Sequence, residues 1–118
     1  RAAAPPVRLA GMPDTVLLCY CSCPDRDSAG RIARALVDER LAACVSGIAA
    51  VRSTYRWQEA VHTDTEELLL IKTTAARLPA LERRVLELHP YEVPELIAVP
   101  VADGHAAYLD WVREHSRD

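Results

Sequence analysis

An α+β fold of the split βαββαβ kind is what this 118-residue sequence predicts, and three observations predict it. The spacing of apolar residues switches between the strand and helix periods in the order strand, helix, strand, strand, helix, strand, with one more helix at the end. The first strand segment is apolar on both faces, as a strand in the middle of a sheet has to be. Both main helices are amphipathic, so each has one side to bury against a sheet.

Thr15 to Cys21 carries the apolar run Val16, Leu17, Leu18, Cys19 and Tyr20 and reads as the central strand. Ser22, Cys23 and Pro24 interrupt it, and Pro24 with Asp25 and Asp27 reads as a helix opening with Pro at the first helical position. Ala29, Ile32, Ala33, Leu36, Val37 and Leu41 then recur at helical spacing between Asp25 and Ala42. Cys44 to Trp57 and Val61 to Thr74 are rich in β-branched and aliphatic residues and form a long hairpin with its tip near Gln58 to Ala60. That tip lacks the Asn-Gly or Asp-Gly pair of a two-residue turn. Leu78, Leu81, Val85, Leu86 and Leu88 mark the second helix, stopped by Pro90. Leu96 to Val101 is a short strand, and Ala106 to His115 a C-terminal helix. Right-handed crossovers turn this order into a ferredoxin-like four-stranded antiparallel sheet with two helices on one face. The other face must be covered, and oligomerisation is the economical cover.

The chain has the length of one domain, expected over residues 15–118, with residues 1–14 read as a poorly ordered tail rich in Ala, Pro and Arg. Met12, the sole methionine, is a candidate natural start, with residues 1–11 upstream of it. Net charge is −3 and there is a single lysine, so no basic stripe is available for nucleic acid. No apolar run approaches the roughly 20 residues that span a bilayer. Cys19, Cys21 and Cys23 alternate along one strand, too far apart for unstrained disulfides, which points to reduced thiols and a cytoplasmic setting.

The segment His89 to Glu95, reading HPYEVPE, places an imidazole, a phenol and carboxylates on a backbone stiffened by Pro90 and Pro94. Such a loop suits a site, and equally suits plain architecture. No GxSxG elbow, phosphate loop, HExxH or spaced catalytic pair occurs, so an enzyme is not expected.

Several blocks resemble the CutA divalent-cation-tolerance family: Cys21 to Asp25, IARALVDERLAACV from Ile32 to Val45, YRW from Tyr55, LIKTT from Leu70, HPYEVPE from His89 and YLDWV from Tyr108. They fall in family order across about Thr15 to Glu114. The resemblance implies a homotrimer of ferredoxin-like subunits, similar in architecture to the trimeric nitrogen-regulatory signal proteins. It also implies binding of divalent cations, copper above all. Departures are Ser46 where Asn is usual, Glu59 and Ala60 where Gly and Lys are common, and Leu88 where one copper-binding relative has histidine.

The candidate metal ligands are Cys21, His89 and Glu95, a thiolate, an imidazole and a carboxylate suited to Cu²⁺ and, second, Zn²⁺. Beside that reading stands another: Cys21 as a core residue, and His89 as a helix C-terminal group whose neighbours Tyr91 and Glu95 make interface hydrogen bonds. Cys19, Cys23 and Cys44 read as core packing, and Asp64, Glu66 and Glu67 as an exposed strand edge. The expected function is that of a trimeric divalent-cation-binding protein concerned with cation tolerance. The alternative is a trimeric regulatory module binding a small anionic ligand or a partner protein in intersubunit clefts, with metal binding incidental.

Overall fold

The computed structural model describes residues 12–118, and the expected tail lies outside them up to residue 11. Its elements are β1 (Val16–Cys23), α1 (Arg26–Asp38), β2 (Cys44–Trp57), β3 (Ala60–Thr74), α2 (Leu78–Leu88), β4 (Ile97–Pro100) and α3 (Ala106–His115). The strands form one antiparallel sheet in the order β2-β3-β1-β4, with β1 paired to both β3 and β4, so the two-sided apolarity of β1 matches a central position.

Alternation along β1 sends Leu17, Cys19, Cys21 and Cys23 to one face, where they join Leu69 and Ile71 of β3. Ala29, Ile32 and Leu36 of α1 and Leu81 and Val85 of α2 close that face, and all are fully buried. Each large side chain sealed there contributes about 1.5–3 kcal/mol. On the opposite face α3 covers one end, where Val112 packs on Val16 and Ala43. The rest of that face carries Leu18, Tyr20, Leu68 and Leu70, half-buried, and Ile48, Ile97 and Val99, exposed.

Two of the boundaries that differ from the sequence reading bear on the site. β1 continues through Ser22 to Cys23, because Ser22 and Cys23 still pair with Leu68 and Glu67 of β3. The helix therefore starts later: Asp25 is the N-cap, its carboxylate accepting from the Ser28 N–H at 2.8 Å, and Pro24 precedes the cap and is not the first helical residue. That hydrogen bond also holds the Asp25 carboxyl below the usual carboxylate range.

β3 pairs with β1 only as far as Glu67, so Asp64 and Glu66 pair with β2 alone and their other side is a free strand edge, Asp64 exposed and Glu66 buried. The β2–β3 hairpin has a register shift between Ile48 and Val51, with Ala50 at φ 61°. Such a bulge re-aims the outer half of the ribbon. At the tip Trp57 pairs with Ala60, leaving a two-residue turn in which Gln58 and Glu59 have φ 49° and 66°. Two successive left-handed residues define the tight hairpin turn that Asn-Gly serves best, because it matches strand twist without a Cβ penalty. Exchanging Gln58→Asn together with Glu59→Gly is expected to raise stability by about 1–2 kcal/mol, read as a higher midpoint in denaturant. An unchanged or lower midpoint would count against the turn assignment.

Candidate metal centre and the adjoining cleft

α2 ends because Pro90 pushes the residue before it out of the helical region, and His89 is extended at φ −74°, ψ 134°. That exit throws the imidazole back over the end of β1. The ring is buried, with Nε2 2.8 Å from the Ser22 carbonyl oxygen and Nδ1 accepting from the Tyr91 N–H at 3.1 Å. Nδ1 must hold a lone pair toward the amide, so Nε2 carries the proton and donates to Ser22. Both nitrogens of a neutral ring are thus engaged, tying the loop after α2 to the last residues of β1. The Tyr91 ring lies against it, with centroids 4.9 Å apart.

Beside that ring are two thiols. Cys21 and Cys23 point to the same side of β1, are fully buried, and with His89 place one donor atom each within 4.8 Å of one another. The Cys21 thiol is pushed up, first by the hydrogen bond it shares with Cys23 and then by burial; Cys23 is lowered, first by the same hydrogen bond. Burial alone lifts Cys19, the next thiol along the strand, to about 11. All four cysteines are free.

Of the ligand set expected from sequence, Cys21 and His89 come together, whereas Glu95 is exposed and lies outside the three-donor group. Glu95 is nonetheless near: its Oε1 accepts from Ser22 Oγ at 3.5 Å. Cys23 is buried in the core cluster, as the packing reading expects, and its thiol also lies in the three-donor group. The donors suit a soft or borderline ion in kind. A tetrahedral centre brings such atoms to about 3.5–3.8 Å, so modest contraction would be required, and the imidazole would have to release one hydrogen bond.

Next to this cluster, between the outer hairpin and the loop from Pro90 to Glu95, lies a cleft of about 840 Å³. Tyr55, Trp57 and Tyr91 supply aromatic surface there and Glu66, Glu92 and Glu95 supply carboxylates, with no Lys, Arg or His in its lining among the described residues. Glu66, read from sequence as exposed, is buried, and its Oε2 accepts from Tyr91 Oη at 2.6 Å. Burial and that hydrogen bond push the Tyr91 phenol well up, so it stays protonated and donating. Tyr55 likewise donates to Asp64 on the neighbouring strand.

The split βαββαβ subunit with its four-stranded antiparallel sheet defines a structural class that known proteins share. The family model described as "CutA1 divalent ion tolerance protein" matches residues 17–115. The divalent-cation tolerance protein CutA of Thermus thermophilus is 53% identical over 93 residues, covering 79% of this chain and 90% of that protein. Human protein CutA is 45% identical over 103 residues, but the chain spans only 58% of its length. The solved Thermus thermophilus structure superposes with a TM-score of 0.85 at 48% identity, covering 86% of this chain and 99% of that one. The chain belongs to the CutA family of divalent ion tolerance proteins. Relatives carry differing location names, chloroplastic in rice and periplasmic in Archaeoglobus fulgidus. No helix among the described residues is long and apolar enough to cross a membrane.

Proposed function

We propose that this chain is a homotrimeric metal-binding protein taking copper first and zinc second, with Cys21 and His89 as ligands and Glu95 or Cys23 completing the set. The observation that carries the reading is the convergence of two buried thiols and an imidazole within 4.8 Å. Trimer formation is supported by the open face, where seven apolar side chains from four strands stay half-buried or exposed in the subunit. Four free thiols support a reducing compartment, the cytoplasm. Recognition of a small anion draws no support from the cleft, whose lining carries carboxylates and no cation.

Titrating metal-free protein with Cu²⁺ and Zn²⁺ is expected to give saturable binding that Cys21→Ser and His89→Ala abolish. Comparing Cys23→Ser with Glu95→Gln identifies the third ligand. Binding that is absent, or indifferent to Cys21 and His89, would remove the reading. The raised Cys21 thiol is protonated at neutral pH, so an entering ion has to displace its proton. Affinity should therefore fall as pH falls, by about tenfold per pH unit for each proton released, between pH 8 and 6. A flat profile would show that the thiol is not a ligand.

A further inference from the structure

We propose that Cys23 makes the cluster at the end of β1 a site for a monovalent soft metal ion, Cu⁺ in the first place, held by Cys21, Cys23 and His89 with no carboxylate. The inference rests on the reading of Cys21 and His89 as ligands, and goes beyond it in the charge of the ion and in the residue that selects it. The three donor atoms lie within 4.8 Å of one another, and no Asp or Glu joins that group among the described residues. Two carboxylates on adjoining segments are turned elsewhere. Glu95 accepts from Ser22 Oγ, and Ser22 alternates with Cys21 and Cys23 along β1, so Glu95 stands over the opposite face of the strand. Glu67 pairs with Cys23 across the ladder, but its Oε2 lies against Gly47 of β2, 2.7 Å from where a Cβ would stand there. Gly47 thereby leaves that carboxylate a place against β2.

Donor type and donor number then choose the ion. Thiolate sulfur is a soft ligand and selects Cu⁺ over harder ions. Zn²⁺ takes four ligands in proteins almost without exception, with water in the fourth position where side chains supply three. Cys21 and Cys23 are fully buried and His89 nearly so, which leaves water little access to an ion held between them. A divalent ion therefore has to draw Glu95 around the end of the strand. A filled d shell leaves Cu⁺ content with fewer ligands, and three donors of this kind suffice. Reduced thiols and Cu⁺ also persist under the same reducing conditions, and every cysteine of the chain is free.

The test is equilibrium competition under argon between the metal-free full chain and bicinchoninate, a chelator that is coloured when it holds Cu⁺. The chain is expected to withdraw a single Cu⁺ per subunit and to show a thiolate-to-copper band in the ultraviolet, and Ag⁺, an ion of the same charge and softness, should displace it. Cys23→Ser and Cys23→Ala, paired so that a folding failure of one leaves the other, should each weaken Cu⁺ by about 100-fold or more, past the cost of losing a contact that only supports a ligand, and Zn²⁺ by less than about tenfold. Glu95→Gln should do the reverse and leave Cu⁺ unchanged. Cys44→Ser, at the half-buried thiol, should alter neither, and dependence of Cu⁺ on Cys44 would place the ion elsewhere and overturn the proposal. Equal weakening of Cu⁺ and Zn²⁺ by loss of Cys23 would overturn the selectivity. A chain that binds Zn²⁺ or Cu²⁺ through Cys21 and His89 but withdraws no Cu⁺ would overturn this inference and leave the reading beneath it standing, whereas failure to bind any of the three would remove both.

Discussion

A carboxylate placed in the middle of the open sheet face, as in Leu70→Glu, is expected to turn the assembled protein into monomers. Leu70 is half-buried in the isolated subunit and pairs with Tyr20 on one side and Ser46 on the other, so it lies inside the apolar patch and away from its rim. Assembly over that face would strip water from the new charge in every copy, and an unpaired buried carboxylate costs several kcal/mol at each site. Symmetry multiplies the effect, because one substitution alters all copies of the interface. The subunit itself should fold, since Leu70 points away from the core formed by Leu17, Ile32, Leu36 and Ile71. Sedimentation should show one subunit mass with an unchanged far-ultraviolet circular dichroism spectrum. A variant that still sediments at three times the subunit mass would show that this face is not the interface.

The second large effect is expected at His89. In His89→Ala the buried Ser22 carbonyl loses its donor, and the part-buried Tyr91 N–H loses its acceptor. Each orphaned group costs about 1–3 kcal/mol, and the lost ring leaves space beside Tyr91, so metal-free protein should lose about 2–4 kcal/mol of stability. Denaturant melts measure that loss directly. Metal binding should disappear in the same variant. The two readouts separate a ligand from a strut: a destabilised protein that keeps its full metal affinity would make His89 purely a loop anchor.

Much of this molecule can be read along the chain. The boundaries of β2, α2 and α3 follow from periodicity and from Pro90, and the two-sided apolarity of Val16 to Tyr20 places β1 inside the sheet. Cys21 and His89 stand out because an imidazole on a proline-stiffened loop and a thiol at a strand end are uncommon in a featureless core. The shortfalls share a cause. Pro24 marks a helix opening by residue type, yet it precedes the N-cap, and β1 runs two residues past Cys21. Glu66 looks solvated among Asp64 and Glu67, yet it is buried by a tyrosine 25 residues away.

Sequence by itself determined the order and type of the elements, the sheet's amphipathic faces and two of the three clustered donors, because these depend on local periodicity and on backbone constraints carried by single residues. Only the tertiary structure decided that the Cys23 thiol lies within reach of Cys21 and His89, that the imidazole donates to Ser22 across 67 residues of chain, and that the bulge at Ala50 belongs to a hairpin whose outer half walls a cleft over the loop after α2. Those outcomes are set by where distant segments cross, and a crossing is fixed by the packing of whole elements, which no local pattern records.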